Sequence, residues 1–157
     1  MNKETQYIIK SFESTLSGQP WFGRAVYEIL KEVDDSKAGT KPNGTEHSML
    51  DLVWHMTTWA EFVLSSLENK SAEEMKAIEA NDWRAIDPKI HTWEKGVDQL
   101  KTTHSKIIEI LNQKEDDAFL SDTVPIRKFN FRFMLNGLVQ HNIYHLGQVA
   151  YIKKMLG

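Results

Sequence analysis

Apolar residues recur at intervals of three and four positions along most of this chain, the spacing that places them on one face of an α-helix. The clearest run begins after Ser48, a good N-cap residue with Asp51 at capping-box spacing. Its apolar stripe consists of Met49, Leu52, Val53, Met56, Ala60, Val63 and Leu67. A helix with such a stripe is stable mainly when other helices cover it. The pattern therefore predicts a protein built by packing helices.

Other parts of the chain show the same helical spacing. The predicted segments are residues 3–16, 22–33, 71–80, 88–112 and 131–155. Phe22 is expected on the buried face of its segment. Pro88 is expected in the first turn of the 88–112 helix, where proline is well tolerated, and Ile90 is expected in the buried stripe of that helix.

The segments between the helices are polar. A loop is expected at residues 34–46, which are rich in Gly, Pro, Asn and Thr. The connection of 18 residues from Gln113 to Asn130 is longer than usual in a helical bundle, and such connections are more often functional than idle. Long amphipathic helices without a convincing pair of strands indicate the all-α class, and within it an antiparallel four-helix bundle. We expect residues 1–157 to form a single domain of this kind.

The composition excludes several classes of protein. The net charge is −3, whereas nucleic-acid-binding domains usually carry a basic patch. The absence of cysteine excludes disulfides, thiolate metal sites and a cysteine nucleophile. No run approaches the roughly 18 apolar residues that a membrane helix needs, and residues 1–10 lack the pattern of a signal peptide. We therefore expect a cytoplasmic protein whose partners are neither nucleic acids nor membranes.

Two histidines interrupt the apolar stripe of the last helix. His141 and His145 continue the inward-facing series of Met134 and Leu138. Side chains four residues apart on a helix have Cβ atoms about 5–6 Å apart, so both imidazoles can bind one metal ion. Core histidines are also often hydrogen-bonded to a backbone carbonyl or a water, and the pair alone leaves both interpretations open. Asn142 stands where the HExxH zincin pattern requires glutamate, so the motif is not of that class.

His55 is the third candidate ligand, on the helix that follows Ser48. Helical bundles build metal sites from side chains on facing helices. Three imidazoles without a thiolate suit Zn, Ni or Fe(II) and leave a coordination position open. Asp51 is expected either to orient a ligating imidazole or to cap the helix. Gln148 is expected to bond an imidazole or to pack at an interface, and His47 to contact a substrate or to belong to the cap.

His91, His104 and Gly147 are three further residues whose placement the sequence indicates. His91 and His104 lie on the 88–112 segment. His91 is expected to be exposed, and His104 is expected to be a packed structural residue or a fourth ligand. Gly147 lies within the last helix, where glycine costs about 0.5–1 kcal/mol relative to alanine. It is expected where another helix or a bound group approaches the backbone.

The order of these features resembles the DinB-like (DinB/YfiT-like) superfamily. The shared elements are Ser-x3-Leu-x2-His, here Ser48–His55, and His-x3-His-x-Gly-Gln, here His141–Gln148. Trp83 and Trp93 also look like landmarks of one branch of the family. The resemblance implies a four-helix bundle, often a homodimer, whose three histidines bind one divalent metal ion. The positions that correspond to this triad are His55, His141 and His145.

A metal held by three histidines with an open position can activate a thiol or a water as nucleophile. The resembled family includes members regarded as hydrolases and others that transfer low-molecular-weight thiols. We therefore expect a thiol transferase or a hydrolase that acts on a small molecule. Trp54, Trp59 and residues 113–130 are expected to wall its pocket, unless these aromatic residues are plain core. Asp51 and Glu61 are the positional candidates for a general base. The alternatives are a non-catalytic metal-binding or dimerisation module and a metal-free bundle with hydrogen-bonded histidines.

Overall fold

Seven α-helices and one short 3₁₀-helix make up the computed structural model, which describes all residues 1–157. In chain order they are α1 (Lys3–Ser17), α2 (Val26–Leu30), α3 (Asp35–Ala38), α4 (Met49–Leu67), α5 (Ala72–Glu79), α6 (Trp93–Asn112), the 3₁₀-helix (Ala118–Ser121) and α7 (Phe131–Leu156). The longest helices are α1, α4, α6 and α7. Both α1 and α4 pack against α6 and α7. The all-α class is confirmed, and this mutual packing agrees with a bundle of four long helices.

One hydrophobic cluster of 32 buried residues fills the space between the helices. The apolar stripe predicted for α4 belongs to it in full. Among the buried polar side chains are three histidines and one asparagine, His55, His104, Asn142 and His145. Because a buried polar group is costly without a partner, these residues mark the part of the core where packing alone does not explain the sequence. No helix is long and apolar enough to cross a membrane.

The start of α4 is fixed by the predicted capping box. Ser48 Oγ accepts a hydrogen bond from the backbone N–H of Asp51 at 3.0 Å, and Asp51 Oδ2 accepts one from the backbone N–H of Ser48 at 2.8 Å. The same reciprocal arrangement joins Ser71 and Glu74 at the start of α5. These bonds satisfy backbone donors that a helix leaves free in its first turn, so both helices begin where the sequence predicts.

The region between α1 and α4 corrects two expectations. The segment predicted as a helix over 22–33 is helical only over Val26–Leu30, and Phe22 is 43% exposed. The loop expected at 34–46 contains α3, which Asp34 caps by accepting a hydrogen bond from the backbone N–H of Ser36. The predicted helix thus ends at Leu30, and Asp34 starts a separate short helix that the sequence did not indicate.

The start of α6 is also later than predicted. Pro88 lies in a turn in which the carbonyl of Asp87 accepts hydrogen bonds from the N–H groups of Ile90 and His91. The helix itself begins at Trp93, and Thr92 Oγ1 caps it by accepting from the N–H of Lys95. Ile90 is therefore outside the helix and 58% exposed, not buried in its stripe.

The long connection between α6 and α7 is ordered by contacts with other elements. The carboxylate of Asp117 accepts hydrogen bonds from the backbone N–H groups of Glu4 and Thr5, at 3.0 and 2.8 Å. An acidic side chain in this position also complements the positive end of the α1 dipole. Further along, an isolated antiparallel bridge joins Thr123 to Asn130. The connection is thereby held over the end of the bundle where α7 begins.

Candidate metal centre

Three histidines meet between α4 and α7. His55 projects from α4, and His141 and His145 project from successive turns of α7. His55 Nε2 lies 3.0 Å from His141 Nε2 and 3.0 Å from His145 Nε2. One ring nitrogen from each residue lies within 4.8 Å of the others. The structure thus brings together the trio that the sequence spacing predicts, which we call the histidine trio.

The other ring nitrogens of two of these histidines are bonded to oxygen atoms. His55 Nδ1 lies 2.5 Å from Asp82 Oδ1, and His145 Nδ1 lies 2.5 Å from Gln148 Oε1. An ionised carboxylate can only accept a hydrogen bond, so His55 Nδ1 is the donor and carries the proton. The same tautomer follows for His145 when the amide oxygen of Gln148 is the acceptor. In both residues the unprotonated Nε2 therefore points into the trio.

This proton arrangement fits a cation at the centre of the trio. Without one, the lone pairs of His55 Nε2 and His145 Nε2 would face each other at 3.0 Å, a contact that offers no hydrogen bond. His141 Nδ1 is buried and has no hydrogen-bond partner, so this ring is not committed to a tautomer by its surroundings. Imidazole nitrogen is a common ligand for Zn²⁺ and related ions, and a carboxylate on the far nitrogen is a frequent support for such ligands.

Burial keeps the three imidazoles neutral near pH 7. It lowers the pKa of His141 to about 3, helped by the nearby His145 and His55. Burial also lowers the pKa of His145 to about 4, against the opposing hydrogen bond to Gln148. The pKa of His55 is lowered by burial as well, although Asp82 opposes the shift. Only a neutral imidazole offers a lone pair to a metal, so the surroundings hold the trio in the form that binds one.

Trp83 packs against His55 from outside the trio. The two rings are nearly parallel, with centroids 3.8 Å apart, and His47 stacks on Trp83 with centroids 3.7 Å apart. Two rings this close to one indole cannot share a face without overlapping, so Trp83 lies between the two histidines. Its backbone has φ of 47°, a conformation that is uncommon for a large side chain. His47 therefore belongs to the wall of the site, while Ser48 makes the cap.

The expectations for the carboxylates near α4 are corrected in part. Of the two roles expected for Asp51, the structure shows the capping one: its carboxylate bonds Ser48 and lies 3.4 Å from Lys41. The carboxylate that contacts His55 is that of Asp82. Glu61 contacts Gln99 of α6 and none of the histidines. Neither positional candidate for a general base therefore reaches the trio, because α4 directs both side chains elsewhere.

The remaining histidines lie outside the trio. His104 is 1% exposed and has both ring nitrogens bonded, Nδ1 to the Tyr27 hydroxyl at 2.9 Å and Nε2 to the Asn142 amide at 3.1 Å. It is the packed structural residue of the two alternatives, since neither nitrogen is free to be a ligand. His91 is half-buried, not exposed: its Nδ1 accepts a hydrogen bond from the N–H of Asp87 and its ring meets Trp54 edge-on.

A cavity of about 170 Å³ adjoins the trio at His141. Trp59 of α4 and the end of the α6–α7 connection line it, as expected. Trp54 does not: it is buried beneath the guanidinium of Arg84, 4.9 Å from its ring centroid. The space beside Gly147 is also open, since no atom lies within 4 Å of the position that a Cβ would occupy there. The expectation that another helix approaches this glycine is therefore wrong.

Two contributors to the site were not predicted, Asp82 and Trp83. They follow α5 in an irregular stretch, so no helical periodicity relates them to His55, and their contacts with it span 27 and 28 residues of chain. The available signals were weak. Trp83 stands out in the sequence only as a family landmark, and an aspartate in an irregular segment is more often a turn residue than a partner of a buried histidine.

The fold and the site define a class: an all-α protein in which two packed helices direct three neutral histidines at one point. The sequence was also compared with the profiles of known protein families, and one of them matches. The profile of the DinB superfamily matches residues 22–149, a range that includes every residue of the trio together with Asp82, Trp83 and Gln148. This chain belongs to the DinB superfamily, as its motifs predict. No curated protein matches it in sequence.

Proposed function

We propose that this protein binds one divalent metal ion through His55, His141 and His145 and uses it to activate a nucleophile for reaction with a small molecule. The observation that carries the proposal is the convergence of one nitrogen from each of three histidine rings, two of which direct their Nδ1 protons outward to Asp82 and Gln148. Zn, Ni and Fe(II) all suit such a donor set.

The ion, when bound, supplies a Lewis acid with open positions at which a thiol or a water becomes nucleophilic near neutral pH. The protein supplies the geometry. Asp82 fixes the tautomer and orientation of His55, and Gln148 does the same for His145. Trp83 restricts rotation of the His55 ring by stacking on it. These contacts orient the rings of His55 and His145 before any ion binds.

The reaction we propose is transfer of a low-molecular-weight thiol to an electrophile, or hydrolysis by water. The number of ligands supports an enzyme, because structural zinc sites usually have four protein ligands and the trio offers three. It is also supported by the cavity next to His141, since active sites are usually concave and mostly apolar. The alternative is a non-catalytic metal-binding module, for which a fourth protein ligand would be the distinguishing feature.

Metal content is the decisive measurement for this proposal. Protein purified without a histidine tag is expected to contain about one divalent ion per chain by elemental analysis. The separate variants His55→Ala, His141→Ala and His145→Ala are expected to lose it, whereas the matched control His91→Ala is expected to retain it. Unchanged metal content in all three variants would show that the ligand assignment is wrong.

Activity is tested on two panels of substrates. One contains low-molecular-weight thiols with electrophilic acceptors, and the other contains esters and amides. Turnover on the first alone identifies a thiol transferase, and turnover on the second alone identifies a hydrolase. Metal-loaded protein that is inactive on both panels would favour the non-catalytic module.

We further propose that two copies of the chain pair through the exposed side of α7. Tyr144, Tyr151 and Met155 are 67%, 70% and 47% exposed and follow one another at intervals of seven and four residues, which places them along one side of the helix. Exposed apolar surface of this kind often marks an interface. Analytical ultracentrifugation is expected to give twice the mass of the chain, and the double variant Tyr144→Glu/Tyr151→Glu is expected to give the mass of one chain. Tyr7→Glu on α1 is the control, and a monomeric parent protein would refute the pairing.

A further inference from the structure

The cavity beside His141 is almost entirely apolar. Aromatic and aliphatic side chains from α4, the α6–α7 connection and α7 form seven of its ten lining residues, and they are Trp59, Phe62, Val63, Phe129, Phe133, Met134 and Leu138. The other three are Arg127, Gly137 and His141. The cavity opens to solvent on the side of Phe133, which is 66% exposed. An enclosed apolar cavity of about 150 Å³ is large enough to hold benzene, so the volume of about 170 Å³ is sufficient for a single six-membered ring.

The only formal charge in the lining is already neutralised. Arg127 forms an ion pair with Glu79, with Nη2 and Oε1 2.5 Å apart, and its guanidinium covers the Phe62 ring at 4.5 Å from the centroid. The indole N–H of Trp59 is directed out of the cavity, to Asp82 Oδ1 at 3.2 Å. A charged group seated among these side chains would therefore lose part of its hydration without gaining a free countercharge, which is unfavourable.

The cavity is connected to the histidine trio in two ways. His141 belongs to both, as a lining residue and as a member of the trio. Trp59 lines the cavity and donates a hydrogen bond to the same oxygen of Asp82 that accepts the proton of His55 Nδ1. A ring held in the cavity thus lies next to one ligand and touches the side chain that supports another.

We propose that this cavity is the binding site for an uncharged apolar ring, aromatic or alicyclic, of the organic substrate, held so that the substituent on the ring reaches the histidine trio. This inference rests on the proposed function and adds the chemical class of the substrate. Gly137 offers a way to test it, because no atom lies within 4 Å of the position that a Cβ would occupy there. A larger side chain at this position can enter the cavity without a clash of the backbone.

The experiment uses 4-fluorotoluene as a neutral probe and 4-fluorobenzoate as a charged probe with the same ring, both observed by ¹⁹F NMR. The ion-free protein is expected to bind 4-fluorotoluene saturably and 4-fluorobenzoate at least tenfold more weakly. Gly137→Leu is expected to weaken binding of 4-fluorotoluene at least tenfold. Gly147→Leu, which also introduces leucine at an open glycine of α7, is expected to leave it unchanged.

Proximity to the trio is tested with the same probe. In protein loaded with Co²⁺, the relaxation rate of bound 4-fluorotoluene is expected to exceed several-fold the rate in protein loaded with Zn²⁺. Binding that survives Gly137→Leu, equal binding of 4-fluorobenzoate, or equal relaxation with the two ions would overturn the inference. Failure to take up any ion would instead refute the proposed function, while probe binding by the ion-free protein would still decide whether the cavity accepts the ring.

Discussion

At the scale of single residues, the most informative contact is that between Asp82 and His55. It determines which nitrogen of His55 carries the proton, and Trp59 donates to the same carboxylate oxygen. Partners of this kind raise the basicity of a ligating imidazole, and their loss typically costs a factor of about 10–100 in metal affinity. Asp82 is therefore a positioning residue for His55 although it is not one of the three histidines proposed as ligands.

We expect Asp82→Ala to weaken Zn²⁺ binding by a factor of about 10 or more, as measured by competition with a chromogenic chelator. Asp51→Ala is the matched control, because it also removes a carboxylate, but one that bonds the N-terminal cap of α4 and not a histidine. The control is expected to lose about 1 kcal/mol of stability with its metal affinity unchanged. Equal affinities for Asp82→Ala and the parent protein would mean that Asp82 does not support the centre.

His104 is buried and bonded on its two sides by Tyr27 and Asn142. Burial lowers its pKa to about 3, whereas a histidine in an unfolded chain has a pKa near 6.5. Between these values the unfolded state binds a proton that the folded state does not, so the contribution to stability is complete above about pH 6.5 and declines as the pH falls towards 3. The slope for this one group is about 1.4 kcal/mol per pH unit.

We therefore expect the free energy of unfolding of the chelator-treated protein to fall between pH 6.5 and 5, by urea titration. In His104→Gln this fall is expected to be smaller by about 1.4 kcal/mol per pH unit, because glutamine does not titrate. The trio titrates in both proteins, so its effect cancels in the comparison. Parallel pH profiles would show that His104 is not the neutral buried group described here.

At the scale of helices, α4 and α6 approach closely at Gly96. A Cβ at this position would lie 3.0 Å from Val53 Cγ1 and 3.1 Å from Trp54 Nε1. Trp54 has little freedom to move, because it is buried and lies beneath the Arg84 guanidinium. Glycine at this position has a low helix propensity, but it allows the two long helices to pack closely.

We expect Gly96→Ala to destabilise the protein by about 1 kcal/mol, because the cost of overpacking, about 1–3 kcal/mol, exceeds the gain in helix propensity. Gly147→Ala is the control, since its added methyl group meets nothing. It is expected to stabilise the protein by about 0.5–1 kcal/mol. Denaturant titration compares the two, and stabilisation by both substitutions would refute the close approach.

The helices were predictable because their signals are local. Capping boxes at Ser48 and Ser71 lie within a few residues of the helices that they start, and periodicity placed α7 to within one residue of its observed end. The start of α6 was not predicted, because a proline at a helix start and a proline in the preceding turn look alike in sequence. The trio followed from spacing, whereas Asp82 and Trp83 did not, since their positions depend on how an irregular segment packs against α4.

At the scale of the whole molecule, an ion in the trio would join α4 to α7. His55 on α4 and His141 on α7 are 86 residues apart in the chain. A ligand that binds only the folded state stabilises it by about 2.7 kcal/mol at 100 times its Kd. For a chain of this size each kcal/mol corresponds to roughly 2–4 °C in Tm. The centre is therefore expected to contribute to the stability of the fold as well as to its chemistry.

Zn²⁺ at about 100 times its Kd is therefore expected to raise the Tm of the chelator-treated protein by about 5–10 °C, as measured by calorimetry. His55→Ala should remove this increase, and His91→Ala, which lies outside the trio, should keep it. An increase of the same size in His55→Ala would place the bound ion elsewhere.

The contact between Asp82 and His55 also places a negative charge beside the histidine trio. Three neutral imidazoles leave a divalent ion with its full charge of two, and Asp82 is the carboxylate that contacts the trio. Asp82 would thus provide half of the countercharge that a divalent ion bound there requires. Since uncompensated charge in a protein interior is costly, the other half would come from the group bound at an open position, so a bound ion would favour a singly charged anion there over a neutral or doubly charged one.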